Sequence, residues 1–263
     1  MIKYGIHLGK IDTDPRAALA EIRAAGFDAV LLHLGGKYPN AQLADDIAAF
    51  HAGAVVGTVG AAAGLVIDNV HAPWDGINNI WRSNEKGETV TRMLLDHMEQ
   101  CAAIGVRRIV YHVSAGNNYP PISELGIDRM KRLVESAERL GIDMCLENQR
   151  FFHFIDYIYY RIDSARLRFC YDSGHEACFS QTKLALPKYR DRLSALHLHD
   201  NDGGYEHDEH LLPGYSTGVD WDYVRRNIAD YDGVISLEVK HPAGMSDREF
   251  FTAAIKAARF VKS

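Results

Sequence analysis

A regular alternation between strand-like and helix-like segments constrains the fold of this chain most strongly. Eight short apolar runs predict strands, at residues 3–8, 29–34, 66–71, 108–113, 143–147, 167–172, 193–199 and 234–239. Segments with helical spacing follow them, at 15–25, 42–52, 89–104, 127–140, 153–161, 181–189, 221–229 and 247–261. The stretch 53–64, which carries four glycines, predicts a continued or broken helix. Strict alternation of strands and helices predicts a parallel sheet.

The number of strand-and-helix units selects one parallel architecture. Eight units in 263 residues match a closed (β/α)8 barrel. A doubly wound open sheet is the alternative, but it usually carries a glycine-rich phosphate loop after the first strand. The sequence at that position, GIHLGKID, has no GxGxxG pattern, and no Pro-, Gly- or Ser-rich linker interrupts the chain. We therefore predict an α/β fold with a single (β/α)8 TIM barrel domain over residues 1–263.

The composition limits the partners of the protein. The net charge is −6 and the pI is about 6.1, which weighs against nucleic-acid binding because nucleic-acid-binding proteins usually present a basic face. The four cysteines have no CxxC spacing, so we expect buried free thiols. A membrane span needs roughly eighteen consecutive apolar residues, which this chain lacks. The first residues read as a strand rather than a signal peptide, so we expect a cytoplasmic protein.

Each predicted strand ends near a histidine or a carboxylate. In a (β/α)8 barrel the carboxyl ends of the strands form the active site, so these side chains are expected to converge. They are His7, His33, His71, His112, Glu147, Asp172, His197 with His199, and Glu238. Histidine and carboxylate ligands without cysteine suit Zn, Mn, Co or Mg. The strand ends therefore predict a site for a divalent metal ion.

The segment 195–221 concentrates the same residue types. His197 and His199 are two apart at the end of an apolar run, and residues two apart on a strand share a face. Asp208 and His210 have the same spacing further on. Such side chains are costly to bury unless they are paired or bind a metal. We therefore predict that this segment contributes to the metal site, with a solvated acidic loop as the simpler alternative.

Short motifs recur in order from the third strand to the eighth. They are NVHAP at 69–73, VYHV at 110–113, LEN at 146–148, YDSGH at 171–175, HLHD at 197–200, DEH at 208–210, PGYSTGVDW at 213–221 and LEV at 237–239. Together they resemble the xylose isomerase-like barrel superfamily, which includes sugar and sugar-phosphate isomerases and epimerases and endonuclease IV. The ordered set covers most of the chain, and it is far more specific for the superfamily than for a substrate.

The resemblance implies a metal site and roles for its residues. In the ketose epimerases a single divalent ion is held by two glutamates, an aspartate and a histidine. The matching positions here are Glu147, Asp172, His197 and Glu238. The two glutamates lie on opposite sides of the substrate and move a proton, and the histidine that matches His175 contacts the substrate. His199 is the alternative metal ligand, but the family pattern His-x-x-Asp, which Asp200 completes, favours His197.

Endonuclease IV binds several zinc ions through a larger ligand set, and each ligand has a counterpart here. These are His71, His112, Glu147, Asp172, His175, His197, Asp208, His210 and Glu238. Asp208 and His210 discriminate between the two branches of the superfamily. Turned inward, they predict a multi-metal centre; turned to solvent, they leave a single-metal sugar enzyme. Related epimerases often pair, so a homodimer is also expected.

We therefore predict a metal-dependent sugar or sugar-phosphate isomerase or epimerase with a small carbohydrate substrate. The ion would stabilise an enediolate next to a carbonyl, with Glu147 and Glu238 as the acid/base pair. Candidate substrate-binding residues are His33, Arg150, His175, His199 and His241, and candidate pocket walls are Trp74, Trp81, Phe151 and Phe152.

Three alternatives keep the barrel but change the function. The first is an endonuclease IV-like enzyme that cleaves DNA at abasic sites with a multinuclear zinc site; the acidic stretch 201–210 counts against it, because it would repel a phosphate backbone. The second is a dehydratase acting on a polyol ketone with the same metal and base. The third is a non-catalytic sugar-binding protein, which the convergence of ionisable residues disfavours.

Overall fold

Eight parallel strands form one nearly closed barrel in the computed structural model, which describes residues 2–8, 15–34, 64–103 and 105–262. The strands are β1 (Lys3–His7), β2 (Ala29–His33), β3 (Val66–His71), β4 (Arg108–Tyr111), β5 (Asp143–Glu147), β6 (Leu167–Asp172), β7 (Leu193–His197) and β8 (Val234–Leu237). Strands β1 to β7 pair in sequence order, and β8 pairs with β1. A parallel bridge between Leu198 and Leu237 joins the two remaining edges. The predicted (β/α)8 barrel is confirmed.

Eight α-helices in the described part of the chain surround these strands. They are α1 (Pro15–Ala25), α2 (Glu85–Ala103), α3 (Glu124–Leu140), α4 (His153–Arg161), α5 (Ser173–His175), α6 (Ala185–Tyr189), α7 (Trp221–Asn227) and α8 (Asp247–Lys262). Short 3-10 helices lie at Ile77–Trp81 and Arg190–Arg192, and a π-helical turn follows α5 at Glu176–Ser180. No helix among the described residues is long and apolar enough to cross a membrane.

Several element boundaries differ from the sequence predictions. The helix predicted from residue 89 begins at Glu85, because its first turn is polar and acidic, which favours a helix N-terminus but breaks the apolar spacing. The helix predicted from 127 begins at Glu124, after Ser123 caps it by accepting a hydrogen bond from Gly126 N. Strand β7 ends at His197 rather than at 199. The predicted helical segment 42–52 and all but the last residue of the stretch 53–64 lie outside the described residues.

The barrel interior is filled in two chemically different layers. Val110, Cys145, Cys170 and Ala195 form an apolar cluster from four consecutive strands. A polar layer includes the buried side chain of Asp68, which accepts hydrogen bonds from Arg108 (2.9 Å) and Ser236 (3.1 Å). The predicted buried free thiols are confirmed for all four cysteines. Small apolar side chains therefore pack the barrel centre, while paired polar groups extend from Asp68 toward the strand ends.

Asp200 anchors the long connection between β7 and α7. Its carboxylate is completely buried and accepts hydrogen bonds from the backbone N–H groups of Gly214 (3.0 Å) and Ser216 (3.3 Å) and from Trp221 Nε1 (3.0 Å). Its backbone pairs with Leu211 in both directions, at 2.8 and 2.9 Å. A carboxylate can satisfy several donors at once, so one side chain fixes the path of the loop that carries Asp208 and His210.

Replacing this anchor should destabilise the fold. We expect Asp200→Ala to lower the free energy of unfolding by about 2–5 kcal/mol, because it leaves buried N–H donors without an acceptor. The measurement is urea unfolding followed by circular dichroism, with Asp202→Ala as the matched control, since Asp202 is exposed in the same loop. Equal stabilities of the two variants would show that Asp200 is not an anchor.

Candidate metal centre

Polar side chains at the carboxyl ends of the strands converge at one end of the barrel. Parallel strands in a closed barrel all direct these ends to the same face. The residues that meet there at or just beyond the strand ends are His7, His33, His71, His112, Glu147, Asp172, His197 and Glu238. Asn148 fixes the end of β6, because its side chain bonds both the backbone N–H and the carbonyl of Asp172 at 2.8 Å. The predicted convergence is therefore present in the structure.

Four of these side chains form a buried group that could hold one metal ion. They are Glu147, Asp172, His197 and Glu238, and one ligand atom of each lies within 4.8 Å of the other three. His197 Nδ1 lies 2.6 Å from Glu147 Oε1 and 3.0 Å from Glu238 Oε2. The group coincides with the metal ligands predicted from the sequence. Neither glutamate is paired with a lysine or arginine in the described part of the chain.

Hydrogen bonds from below the site determine which nitrogen of His197 faces the carboxylates. Asn69 Nδ2 donates to Asp68 (2.9 Å), so Asn69 Oδ1 faces His197 Nε2 at 3.0 Å. An amide oxygen can only accept, so Nε2 carries the proton and donates it. In the neutral ring Nδ1 then presents a lone pair to Glu147 and Glu238. The lone pairs of His197 Nδ1 and of the two carboxylate oxygens face one another, and this arrangement is stable only with a proton or a cation between them.

The pKa values follow from this crowding. Burial acts to raise the pKa of Glu147, but His175, His112 and His197 lower it well below its ordinary value. Burial likewise opposes ionisation of Glu238, but His197 lowers its pKa well below the ordinary value. Burial acts to lower the pKa of His197, but its neighbours, Cys170 and Glu238 first among them, raise it well above the ordinary value. The site therefore strongly favours a positive charge near His197.

The directions of the side chains fit a divalent ion. Glu238 Oε2 is buried and close to His197 Nδ1, yet the approach is not directed as a hydrogen bond. Asp172 Oδ2 is buried and has no hydrogen-bond partner among the described residues. Ligand atoms around a tetrahedral ion with bonds of about 2.1 Å lie roughly 3.4 Å apart and point at the ion rather than at one another. Close, undirected approaches of this kind are typical of metal ligands.

Four further groups of possible metal ligands adjoin the first among the described residues. His71, His112 and Glu147 form one of them, with His112 Nε2 2.7 Å from Glu147 Oε2 and 3.2 Å from His71 Nε2. His71 Nδ1 donates to Ala72 O (2.7 Å), which leaves its Nε2 free to act as a ligand. Burial is the main reason that the pKa of His112 falls to about 4, so its ring is neutral at physiological pH.

Asp208 and His210 turn inward and form a third group with His199. The rings of His199 and His210 stack at 4.0 Å, and Asp208 Oδ2 lies 3.3 Å from His210 Nε2 and 3.7 Å from His175 Nε2. His210 Nδ1 donates to Glu238 O (2.8 Å), so its other nitrogen faces Asp208. This inward orientation is the one that the sequence analysis associated with a multi-metal centre.

A cavity of about 220 Å³ lies above these groups. Of the predicted substrate-binding residues, His33, Arg150 and His175 line it, whereas His199 is completely buried beneath it and His241 pairs with Asp247 elsewhere. Trp74 forms one wall, where its ring stacks on His112 at 5.4 Å. Trp81, Phe151 and Phe152 are not among the lining residues. The cavity is smaller than the roughly 300–1,000 Å³ of typical drug-sized sites, which suits a small ligand.

Three residues of the site had no predicted role. Gln149 Nε2 lies 3.0 Å from Glu147 Oε2, 3.0 Å from His112 Nε2 and 2.9 Å from His175 Nδ1, and so connects the groups. The sequence signal that could have identified Gln149 is its position two residues after Glu147, because residues two apart on an extended segment share a face. Asn69 has the same spacing before His71. Phe179 lines the cavity from the π-helical turn, where no periodicity of the sequence marks it.

The fold and the site define a (β/α)8 barrel with histidines and carboxylates gathered at the carboxyl ends of its strands. The chain belongs to the xylose isomerase-like TIM barrel family, whose family model matches residues 19–262. The family predicted from the motifs is therefore confirmed. No curated protein matches the chain by sequence.

Solved structures match the chain over its whole length at low identity. The IolI protein with a bound zinc atom aligns with a TM-score of 0.78 at 18% identity and covers 100% of this chain and 98% of its own. D-psicose 3-epimerase with D-tagatose, from Clostridium cellulolyticum H10, aligns with a TM-score of 0.74 at 15% identity over 100% of both chains. The 3-keto-D-glucoside 4-epimerase YcjR from E. coli aligns with a TM-score of 0.73 at 18% identity and covers 99% of this chain and 100% of its own. These similarities establish the fold.

The orientation of His197 provides a test of the metal centre. We expect Asn69→Leu to weaken binding of Zn²⁺ or Mn²⁺ by about 10–100-fold, because it removes the acceptor that fixes the ring. Metal titration against a chromogenic chelator measures the affinity, and circular dichroism of the metal-free protein checks the fold. The matched control is Asn227→Leu, whose side chain bonds only Tyr223 O, within helix α7. Unchanged affinity in Asn69→Leu would exclude this positioning role.

Proposed function

We propose that the protein is a metal-dependent sugar or sugar-phosphate isomerase or epimerase that moves a proton next to a carbonyl. The observation that carries the proposal is the pair of buried carboxylates, Glu147 and Glu238, that face the same nitrogen of His197 at the base of a small cavity. A divalent ion held by Glu147, Asp172, His197 and Glu238 would polarise a substrate carbonyl and stabilise the negative charge that develops beside it.

The two glutamates have the protonation state that proton abstraction needs. Histidines surrounding both carboxylates lower their pKa values, so both are ionised at neutral pH and either can accept a proton from carbon. In an isomerase one carboxylate returns the proton to the neighbouring carbon. In an epimerase the second glutamate takes up a proton from solvent and delivers it to the opposite face, and the first glutamate releases the abstracted proton to solvent. A pair of carboxylates therefore supports both reactions, and the choice between them depends on how the cavity orients the substrate.

Side chains around the cavity can orient a polyol. His33 approaches Glu238 at 2.7 Å, so it lies beside one of the two proton-transferring groups. Burial acts to lower the pKa of His175, but Asp172, Glu147 and Asp208 raise it to about 10, so it is a charged donor at the other side. Trp74 gives the cavity an apolar wall suited to the C–H face of a sugar. The neighbouring fold relatives named as sugar epimerases support this substrate class.

Proton exchange at the substrate carbon tests the proposal. We expect Glu238→Gln and Glu147→Gln each to slow deuterium incorporation into ketoses in deuterated water by at least about 100-fold, because an amide cannot accept the proton. The readout is NMR of a panel of ketoses and their phosphates with Mn²⁺, Zn²⁺, Co²⁺ or Mg²⁺. Metal content is measured on the same samples, so that loss of metal is separated from loss of the base.

Glu88→Gln is the matched control, because Glu88 lies on the surface helix α2 and pairs with Arg132. The Glu88→Gln variant should catalyse deuterium incorporation at the wild-type rate. If Glu147→Gln and Glu238→Gln retain exchange while holding metal, neither residue moves the proton.

A second candidate is cleavage of DNA at abasic sites by a multi-metal centre. The inward orientation of Asp208 and His210 favours it. Against it, the loop that carries them also places Asp202, Glu206 and Glu209 at the surface, and phosphate-backbone binding depends on cationic side chains. A dehydratase that uses the same base on a polyol ketone is a chemical neighbour of the main proposal. The expected homodimer stays a prediction.

Abasic-site DNA separates the two candidates. We expect no cleavage of a duplex with one abasic site at any Zn²⁺ or Mn²⁺ concentration, because the acidic loop repels the backbone. The assay is gel electrophoresis of labelled duplex with metal-loaded protein, alongside the same preparation in the ketose screen. Metal-dependent cleavage abolished by Glu147→Gln would establish the nuclease instead.

A further inference from the structure

Arg150 is the one arginine or lysine among the described residues that line the cavity. It follows β5 by three positions, next to Gln149, and only about 15% of its side chain is exposed. All other ionisable groups that line the cavity are histidines and carboxylates. Because a guanidinium stays charged at every physiological pH, Arg150 gives one wall of the cavity a permanent positive charge.

The guanidinium of Arg150 is held in place but has donors to spare. Its carbon lies 3.8 Å from the centre of the Phe179 ring, and stacking of this kind fixes the plane of the group. A single terminal nitrogen donates to Glu206 Oε1 at 2.9 Å. The Nε atom is buried and has no hydrogen-bond partner among the described residues. A guanidinium has five N–H donors in a fork that matches carboxylates and phosphates, so most of its capacity remains available.

Glu206 is an easily displaced occupant of this fork. Its side chain is 44% exposed, and its backbone adopts the left-handed conformation at φ 64°, which is unfavourable for a residue other than glycine. Asn117 donates to the same oxygen of Glu206 at 2.8 Å. A solvent-exposed ion pair contributes little net stability, because water competes for both charges. An outside anion can therefore take the place of the Glu206 carboxylate.

We propose that Arg150 forms an anion subsite for the substrate, and that the Glu206 carboxylate occupies this subsite until a phosphate monoester or carboxylate group displaces it. The inference rests on the proposed function, since it assigns an anionic carbohydrate to the same cavity. Phe179 also contacts His175, with ring centroids 5.0 Å apart. The ring of Phe179 therefore lies between Arg150 and the histidines of the candidate metal centre. The substrate would place its charged end at Arg150 and its polyol portion toward the carboxylates.

Binding of simple anions tests the subsite without requiring turnover. Isothermal titration calorimetry of the metal-loaded protein with inorganic phosphate and, separately, with acetate distinguishes a phosphate from a carboxylate ligand. Arg150→Met keeps the apolar stem over Phe179 and should weaken binding of the preferred anion by at least about tenfold, because the charge-assisted hydrogen bonds are lost. Glu206→Gln should strengthen it by about threefold, because a competing charge is removed.

The control for these titrations is Arg161→Met, because Arg161 pairs with Glu124 and does not line the cavity. It should bind the anion as the wild type does. The subsite is refuted if neither anion binds the wild type, if binding survives Arg150→Met unchanged, or if Glu206→Gln leaves it unchanged.

Kinetics then separate this inference from the proposed function. The ratio of kcat/KM for a ketose phosphate to kcat/KM for the neutral ketose should fall by at least about tenfold in Arg150→Met, mainly through KM of the phosphorylated substrate. Arg150-dependent anion binding without exchange on any ketose would support the subsite and overturn the isomerase. Exchange on neutral ketoses without anion binding would support the isomerase and overturn the subsite.

Discussion

The burial of two carboxylates against one histidine nitrogen is the constraint on which the site depends. Glu147 and Glu238 are separated by about a third of the sequence, yet both approach His197 Nδ1 within hydrogen-bonding distance and are shielded from water. Two buried negative charges so close are unstable unless a positive charge is shared between them. Either a proton on His197 or a divalent ion supplies it. Since metal ligands must be deprotonated, a bound ion would compete with that proton for the same position, which would link metal binding to pH.

The lower layers of the barrel make this arrangement possible. A continuous polar chain runs from Arg108 through Asp68 and Asn69 to His197, with each group hydrogen-bonded to the next. The chain specifies the protonated nitrogen of His197, so the orientation of this ring depends on the Arg108–Asp68 ion pair deeper in the barrel. The apolar layer around Cys170 isolates the carboxylates from water.

The sequence contains most of the information for the fold and the buried strand-end side chains, but little for the cavity walls. Alternating strands and helices predict the barrel, and the strand-end rule selects Glu147 and Glu238, because both signals repeat at regular positions. Helix starts such as Glu85 were missed, because polar first turns carry no apolar periodicity. Gln149 and Phe179 were missed because their roles depend on side chains brought together from different loops. The pairing of Arg150 with Glu206 spans 56 residues and has no local signature.

The distribution of charge across the cavity relates the inner centre to its ligand. On one side, carboxylates and histidines compensate each other and leave a position for a cation. On the other, the positive charge of Arg150 is balanced, among the described residues, by Glu206, an exposed residue on a loop. Compensation by a buried partner is permanent, whereas compensation by an exposed one is exchangeable, because solvent already competes for it. The carboxylates and histidines at one end of the cavity therefore keep their charges compensated, whereas the partner of Arg150 at the other end can be replaced by another anion. An anionic polyol would match this asymmetry.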